Sequence, residues 1–263
     1  MFSRIMCATL PGLGLALAVA PFASAIAADL PTKAPSPPAF SWSGCYIGVN
    51  GGGGASGSNF TTAVGNGMHL IPADAATVAA LGTGSANDSN FLAGGQIGCN
   101  WQSGTFVYGL EADADYFHSD ATFLNGTGTL STGDTFAITQ SLTTDYLATV
   151  RPRLGVAADR SLFYVTGGAA FTRVSYVQTY ADTLNAGTGS ATGGNSLVGW
   201  TAGGGWEYAW NDHFVTRVEY LFAQFPVTNG AGRIVDTVGR ANPLSGSADL
   251  IIQTVRLGLN YKF

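Results

Sequence analysis

Charge is scarce in this chain, and its scarcity excludes whole classes of function. Of 263 residues, 11 are Lys or Arg and 16 are Asp or Glu, so charged side chains are 10% of the total, against roughly 25% in an ordinary soluble domain. A net charge of -5 and the lack of any Lys/Arg cluster argue against a nucleic-acid partner, whose phosphates need a basic footprint. Histidine is limited to His69, His118 and His213, and there is no zinc spacing, phosphate loop or paired-Cys motif; no metal or cofactor is expected. After the first thirty or so residues no apolar run reaches the roughly 18 residues of a membrane helix. Nor does any segment there show helical periodicity.

What is present is apolar and glycine-rich. Hydrophobic residues make up 46%, with 37 Gly, 15 Phe, 10 Tyr and 5 Trp, too apolar a mixture for disorder. Residues 1–27 read as a secretory signal peptide: Arg4 precedes the apolar run LGLALAVA, and Ala23-Ser24-Ala25 and Ala25-Ile26-Ala27 offer small-residue cleavage sites. Cys7 leaves with it, and export places Cys45 and Cys99 in an oxidising compartment. Residues 28–43 are Pro-rich and read as an extended periplasmic linker.

From residue 44 to 263 alternation of period two dominates. Eight strands are expected, beginning near Cys45, Ser89, Thr105, Thr143, Ser161, Ser196, His213 and Asp249. The connections alternate between long, Gly/Ser/Thr/Asn/Asp-rich stretches and tight turns such as Asp159-Arg160 and Asn211-Asp212. An up-and-down meander then puts every long, wet and mobile loop at one end, and the short turns with both termini at the other. The fold expected is all-β, an eight-stranded antiparallel up-and-down transmembrane β-barrel.

The alternation also assigns faces. Phe106, Tyr108, Leu110 and Tyr116 oppose Glu111, Asp113 and Asp115. Tyr146, Val150, Leu154 and Val156 oppose Asp145, Arg151 and Arg153. Trp206 and Tyr208 flank Glu207, Val218 and Tyr220 oppose Arg217 and Glu219, and Val255 and Leu257 oppose Arg256. Aromatics gather near strand ends (Tyr46, Trp101, Phe106, Tyr116, Trp210, Phe214, Tyr261, Phe263), as in interfacial girdles. An apolar exterior and a charge-paired lumen follow, with Glu111 or Asp113 beside Arg151 and Arg153, and Glu207 beside Arg217. Pro152 lacks a ladder donor, so a bulge is expected there.

As a set, WSGCYIGVNGGGG, GGQIGCNWQ, YGLEADADY, TTDYLATVRPRLGVA, LFYVTGGAAF, GWTAGGGWEYAW, HFVTRVEYLF and the terminal Phe263 resemble the porin-family outer-membrane β-barrel proteins of alphaproteobacteria, relatives of the OmpA-type and OmpW-type barrels. The likeness covers nearly the whole mature chain and fails only in the long loops. It implies an integral protein of the Gram-negative outer membrane, surrounded by lipid and lipopolysaccharide and serving envelope structure and surface display. Periplasmic chaperones and the outer-membrane insertion machinery are the implied assembly partners. The row Leu257, Leu259, Tyr261 and Phe263 looks like the C-terminal signal which that machinery recognises.

Cys45 and Cys99 share the lipid-facing parity near the short-turn end, so either a disulfide or two buried thiols is expected. Catalysis is not expected: His118 and Ser119 adjoin, but neighbours in a strand face opposite ways. His69 and His213 fall in a loop and a turn and read as solvated. The runs Gly51–Gly54 and Gly203–Gly205 relieve curvature and make room for large neighbours. A narrow passive channel is the alternative function, although eight strands leave an interior that side chains just fill.

Overall fold

Alternating side chains require two faces, and antiparallel pairing around a closed ring supplies them without leaving an edge. The computed structural model describes residues 40–263; the signal peptide expected over 1–27 and the linker up to residue 39 lie outside the described residues. The strands are β1 (Gly44–Val64), β2 (Gly84–Ser103), β3 (Phe106–Thr129), β4 (Thr135–Ala158), β5 (Ser161–Asp182), β6 (Thr188–Ala209), β7 (Phe214–Val235) and β8 (Ala241–Lys262). Each pairs antiparallel with the next, and β8 closes on β1, with Val49 opposite Leu259. Gly104 and Asp159 take positive φ (61° and 50°) in the β2–β3 and β4–β5 turns, the conformation that short hairpin turns demand.

The strands are much longer than a bilayer needs, and their polarity reverses partway along. In the half nearer the short turns, hereafter the near half, the outward row is apolar: Ile97, Leu110, Val150, Val165, Val218 and Leu257 are all exposed. On β3 that row runs from Phe106 to Tyr116. At about 3.3 Å per residue and a tilt near 40° it spans about 25 Å, the height of a membrane-facing band. In the other, distal half the outward row turns polar: Asn59, Asn87, Asp120, Arg173, Thr179, Thr192 and Asn229 are exposed. The interior there is oily instead, built from Phe60, Leu92, Phe117, Leu142, Tyr176 and Phe225 and, farther out, Val78, Phe136, Ile138, Ile234 and Leu244. The near half is an inside-out membrane barrel, and the distal half, about another 30 Å of strand height, has the polarity of a water-soluble one.

Several sequence expectations need correction. The long loops are mostly strand: three of the four distal connections shrink to residues 130–134, 183–187 and 236–240. Only the β1–β2 connection is long, and it holds a helix that the periodicity did not reveal, α1 (Pro72–Leu81). Its buried apolar stripe is just Ala75 and Val78 on an Ala-rich turn sequence, too faint to register. Pro152 sits in unbroken register opposite Leu110, because the β4–β5 bulge falls earlier, between Thr144 and Ala148. That bulge changes the parity of the strand, so Asp145 points outward and does not join the lumen. Tyr46 is no girdle residue; it is buried inside, donating its hydroxyl to Glu111.

Candidate functional site

The near-half lumen holds four guanidiniums, Arg151, Arg153, Arg217 and Arg256, and five carboxylates, Glu111, Asp113, Asp115, Glu207 and Glu219, all buried. Arg151 lies at the centre, its Nη2 2.8 Å from Glu111 and 2.7 Å from Asp113 and its Nη1 3.1 Å from Glu219. Arg217 is 2.7 Å from Glu111, and Arg256 is 2.9 Å from Asp113 and also pairs with Asp115 and Glu219. Glu207 is opposite Arg217 in register, as parity suggests. Its ion pair, however, runs to Arg153 at 2.7 Å, whose guanidinium also stacks 4.0 Å above the Tyr164 ring. Bare charge in such a dry space would be prohibitive, so each guanidinium needs neighbouring carboxylates.

This network is sandwiched between two apolar layers. On its far side lies the Phe60–Phe117–Phe225 cluster. Toward the short turns it meets Trp42, Val107, Leu162, Tyr164 and Val215. Trp42 belongs to the segment expected as linker, yet it is 2% exposed and folds into the mouth. Its backbone N–H donates to Gln102 at 2.7 Å, while its indole N–H reaches the Asp159 carbonyl at 3.3 Å. The void left between Trp42, Tyr46, Asn100 and Glu207 is about 10 Å³, room for no more than about one water.

The distal mouth is closed by the β1–β2 connection. His69, expected to be solvated, is buried there and touches two carboxylates, Asp182 at 2.7 Å and Asp236 at 3.2 Å. Asn242 accepts the backbone N–H groups of His69 and Leu70 at 3.0 and 2.9 Å. Asp74 of α1 accepts from the backbone and hydroxyl of Ser131. Burial raises the Asp236 carboxyl, but hydrogen bonds from Arg240, His69 and backbone N–H groups outweigh it and hold that carboxyl down at about 2. No sequence signal pointed to Asp182, Asp236 or Asn242, which meet His69 only through the closed ring.

The remaining candidates are separated by the fold. His118 points outward and is 2.9 Å from Asp145, while Ser119 points inward to Ser56, so His118 and Ser119 cannot act as base and nucleophile. Cys45 and Cys99 face each other in register on the outer surface and are joined as a disulfide. Leu257, Leu259, Tyr261 and Phe263 form one exposed row on β8, and His213 lies in the β6–β7 turn, stacked on Tyr261.

Comparison with known proteins adds relatives. The family described as "Outer membrane protein beta-barrel domain" matches residues 15–263. The 31 kDa outer-membrane immunogenic protein of Brucella melitensis biotype 1 is 34% identical over 250 residues, covering 91% of this chain and 94% of that protein. The 25 kDa outer-membrane immunogenic protein of Brucella canis is 27% identical over 254 residues, with 94% of each covered. Among solved structures, the outer membrane protein OprG from Pseudomonas aeruginosa aligns with a TM-score of 0.40 and 10% identity, over 84% of this chain and 97% of that one.

Proposed function

The chain belongs to the outer membrane protein beta-barrel domain family, and on that premise we propose that it is a closed, non-conducting and non-catalytic barrel serving envelope structure and surface display. The observation that carries the reading is the filled lumen. From one mouth to the other the interior stacks the Trp42 layer, the ion-paired layer, two apolar layers with Gln140 and Gln178 between them, and the His69 clamp. A solute path would have to break a layer at each step. The packed centre disfavours the narrow-channel reading, and His118 and His69 lack the geometry for hydrolysis.

In this reading the near half spans the outer membrane with the short turns and both termini in the periplasm. The distal half stands in water outside the cell, which accounts for the polar exterior of its strands. The immunogenic character in the relatives' names supports such exposure. Lipid and lipopolysaccharide surround the apolar band. Chaperones and the insertion machinery engage the β8 row that ends at Phe263 before β8 closes on β1.

Planar-bilayer recording tests the reading. Silence is expected from the wild-type protein, and unitary currents altered by Arg151→Ala would overturn it in favour of a channel. Surface proteolysis of intact cells tests orientation, with cleavage expected in the distal turns at 183–187 and 236–240 and none at Asp159-Arg160.

A further inference from the structure

The four consecutive glycines of β1 divide into two pairs with different explanations. Gly52 and Gly54 point inward, where a Cβ would strike the Val255 carbonyl and the Phe117 ring respectively, so packing demands glycine there. Gly51 and Gly53 point outward. A Cβ on Gly53 would meet nothing within 4 Å, and one on Gly51 only an ordinary contact at 3.7 Å. Glycine inside a strand gives up backbone entropy and packs no side chain, and a strand glycine away from bulges and bends often marks a site where a ligand or another backbone approaches closely.

The surroundings of Gly53 make that gap a groove. Its two ladder neighbours are Phe91 on β2 and Val255 on β8, both more than half exposed, so two apolar walls stand on either side of a bare floor. Phe91 packs against Tyr116 with ring centroids 6.2 Å apart. Beyond Val255, the Tyr220 hydroxyl donates to Gln253 at 2.9 Å, fixing a polar rim. The groove is shallow and open along its outer side and measures about 770 Å³. It lies where the apolar band meets the polar distal face, and no charged residue lines it.

We propose that this groove seats one acyl chain of an outer-membrane lipid, its ester or amide linkage reaching the Tyr220–Gln253 rim. The assignment rests on the reading that the apolar band faces the bilayer, since the groove opens directly onto that band. Walls that are already ordered and a floor without side chains let the chain lie against backbone, so this lipid exchanges more slowly than its neighbours.

Native mass spectrometry of the full protein, extracted from outer membranes in mild detergent, reads the site directly. Wild type and Ala169→Leu, an outward substitution on β5 away from the groove, should each retain one lipid mass. Gly53→Leu, whose Cβ would meet nothing within 4 Å, should lose it at least tenfold while keeping the heat-modifiable gel shift of a folded barrel. Lipid-free wild type, or lipid retained equally by Gly53→Leu, would overturn the proposal; so would a dimer abolished by that substitution, which would make the occupant a second copy. If the gel shift were absent in wild type as well, the membrane-barrel reading would fall instead.

Discussion

Replacing Arg151 with Met tests whether the lumen is dry and ion-paired or wet and loose. Arg151 is 0% exposed and lies 2.7 to 3.1 Å from three carboxylates, Glu111, Asp113 and Glu219. With it, the layer counts four guanidiniums against five carboxylates; without it, three against five. Breaking a buried pair in this way costs about 3–5 kcal/mol, because the orphaned charge stays buried, a large part of the roughly 5–15 kcal/mol that holds a typical protein folded. Urea unfolding in lipid vesicles, followed by tryptophan fluorescence and by gel mobility, measures the loss. Asp145→Ala provides the contrast. Simple alternation places Asp145 in the same network, yet its side chain is 70% exposed and, among the described residues, pairs with His118 alone, so its removal should cost under about 1 kcal/mol. Combining Arg151→Met with Glu219→Gln should cost less than the two singly measured losses together, with a coupling of about 0.5–3 kcal/mol. If Arg151→Met cost no more than Asp145→Ala, the charges would be hydrated and the closed-lumen reasoning would fail.

Three further outcomes are expected. The polarity reversal predicts that Val150→Arg, in the membrane-facing band, destabilises by about 2–4 kcal/mol, whereas Thr179→Arg, outward in the distal half, stays within about 0.5 kcal/mol; equal losses in vesicle refolding would refute it. Opening the Cys45–Cys99 disulfide, which spans 54 residues of sequence, should cost about 4 kcal/mol by the loop-entropy account, read as a lower urea midpoint for Cys45→Ser with Cys99→Ser. Asp236 should make the distal cap acid-sensitive. Its carboxyl is held at about 2 in the folded protein, below the value near 3.9 for a free Asp. Its contribution is therefore complete above about pH 4 and is lost as the pH falls toward 2. Proteolysis or hydrogen exchange at residues 65–83 should rise across that window in wild type and lose the pH dependence in Asp236→Asn.

Alternation is a local property, and so whatever depends on it alone was legible in the sequence. The eight strands, the short turns at one end, the outward apolar row of β8, and the inward placement of Glu111, Arg151, Glu207, Arg217 and Arg256 all follow from a repeat of two. So does the separation of His118 from Ser119. Asp145 shows where the rule stops, since one bulge between Thr144 and Ala148 puts the residues before it out of step with Arg151 and Arg153 after it, and Asp145 falls on the outer face.

What the tertiary structure alone decided is which side of the sheet is wet in the distal half. A row of Thr, Ser and Asn alternating with Leu, Phe and Tyr reads the same whether the oil lies inside or outside. The distal strand segments therefore passed for loops until closure of the ring brought Phe60, Phe117, Tyr176 and Phe225 together. The same closure made the His69 clamp from residues 113 and 167 positions apart, set Glu207 against Arg153 across the lumen, and folded Trp42 into a mouth. Period fixes which residues share a face; only the curvature of the closed sheet, which brings distant strands within reach of one another, determines what each face meets.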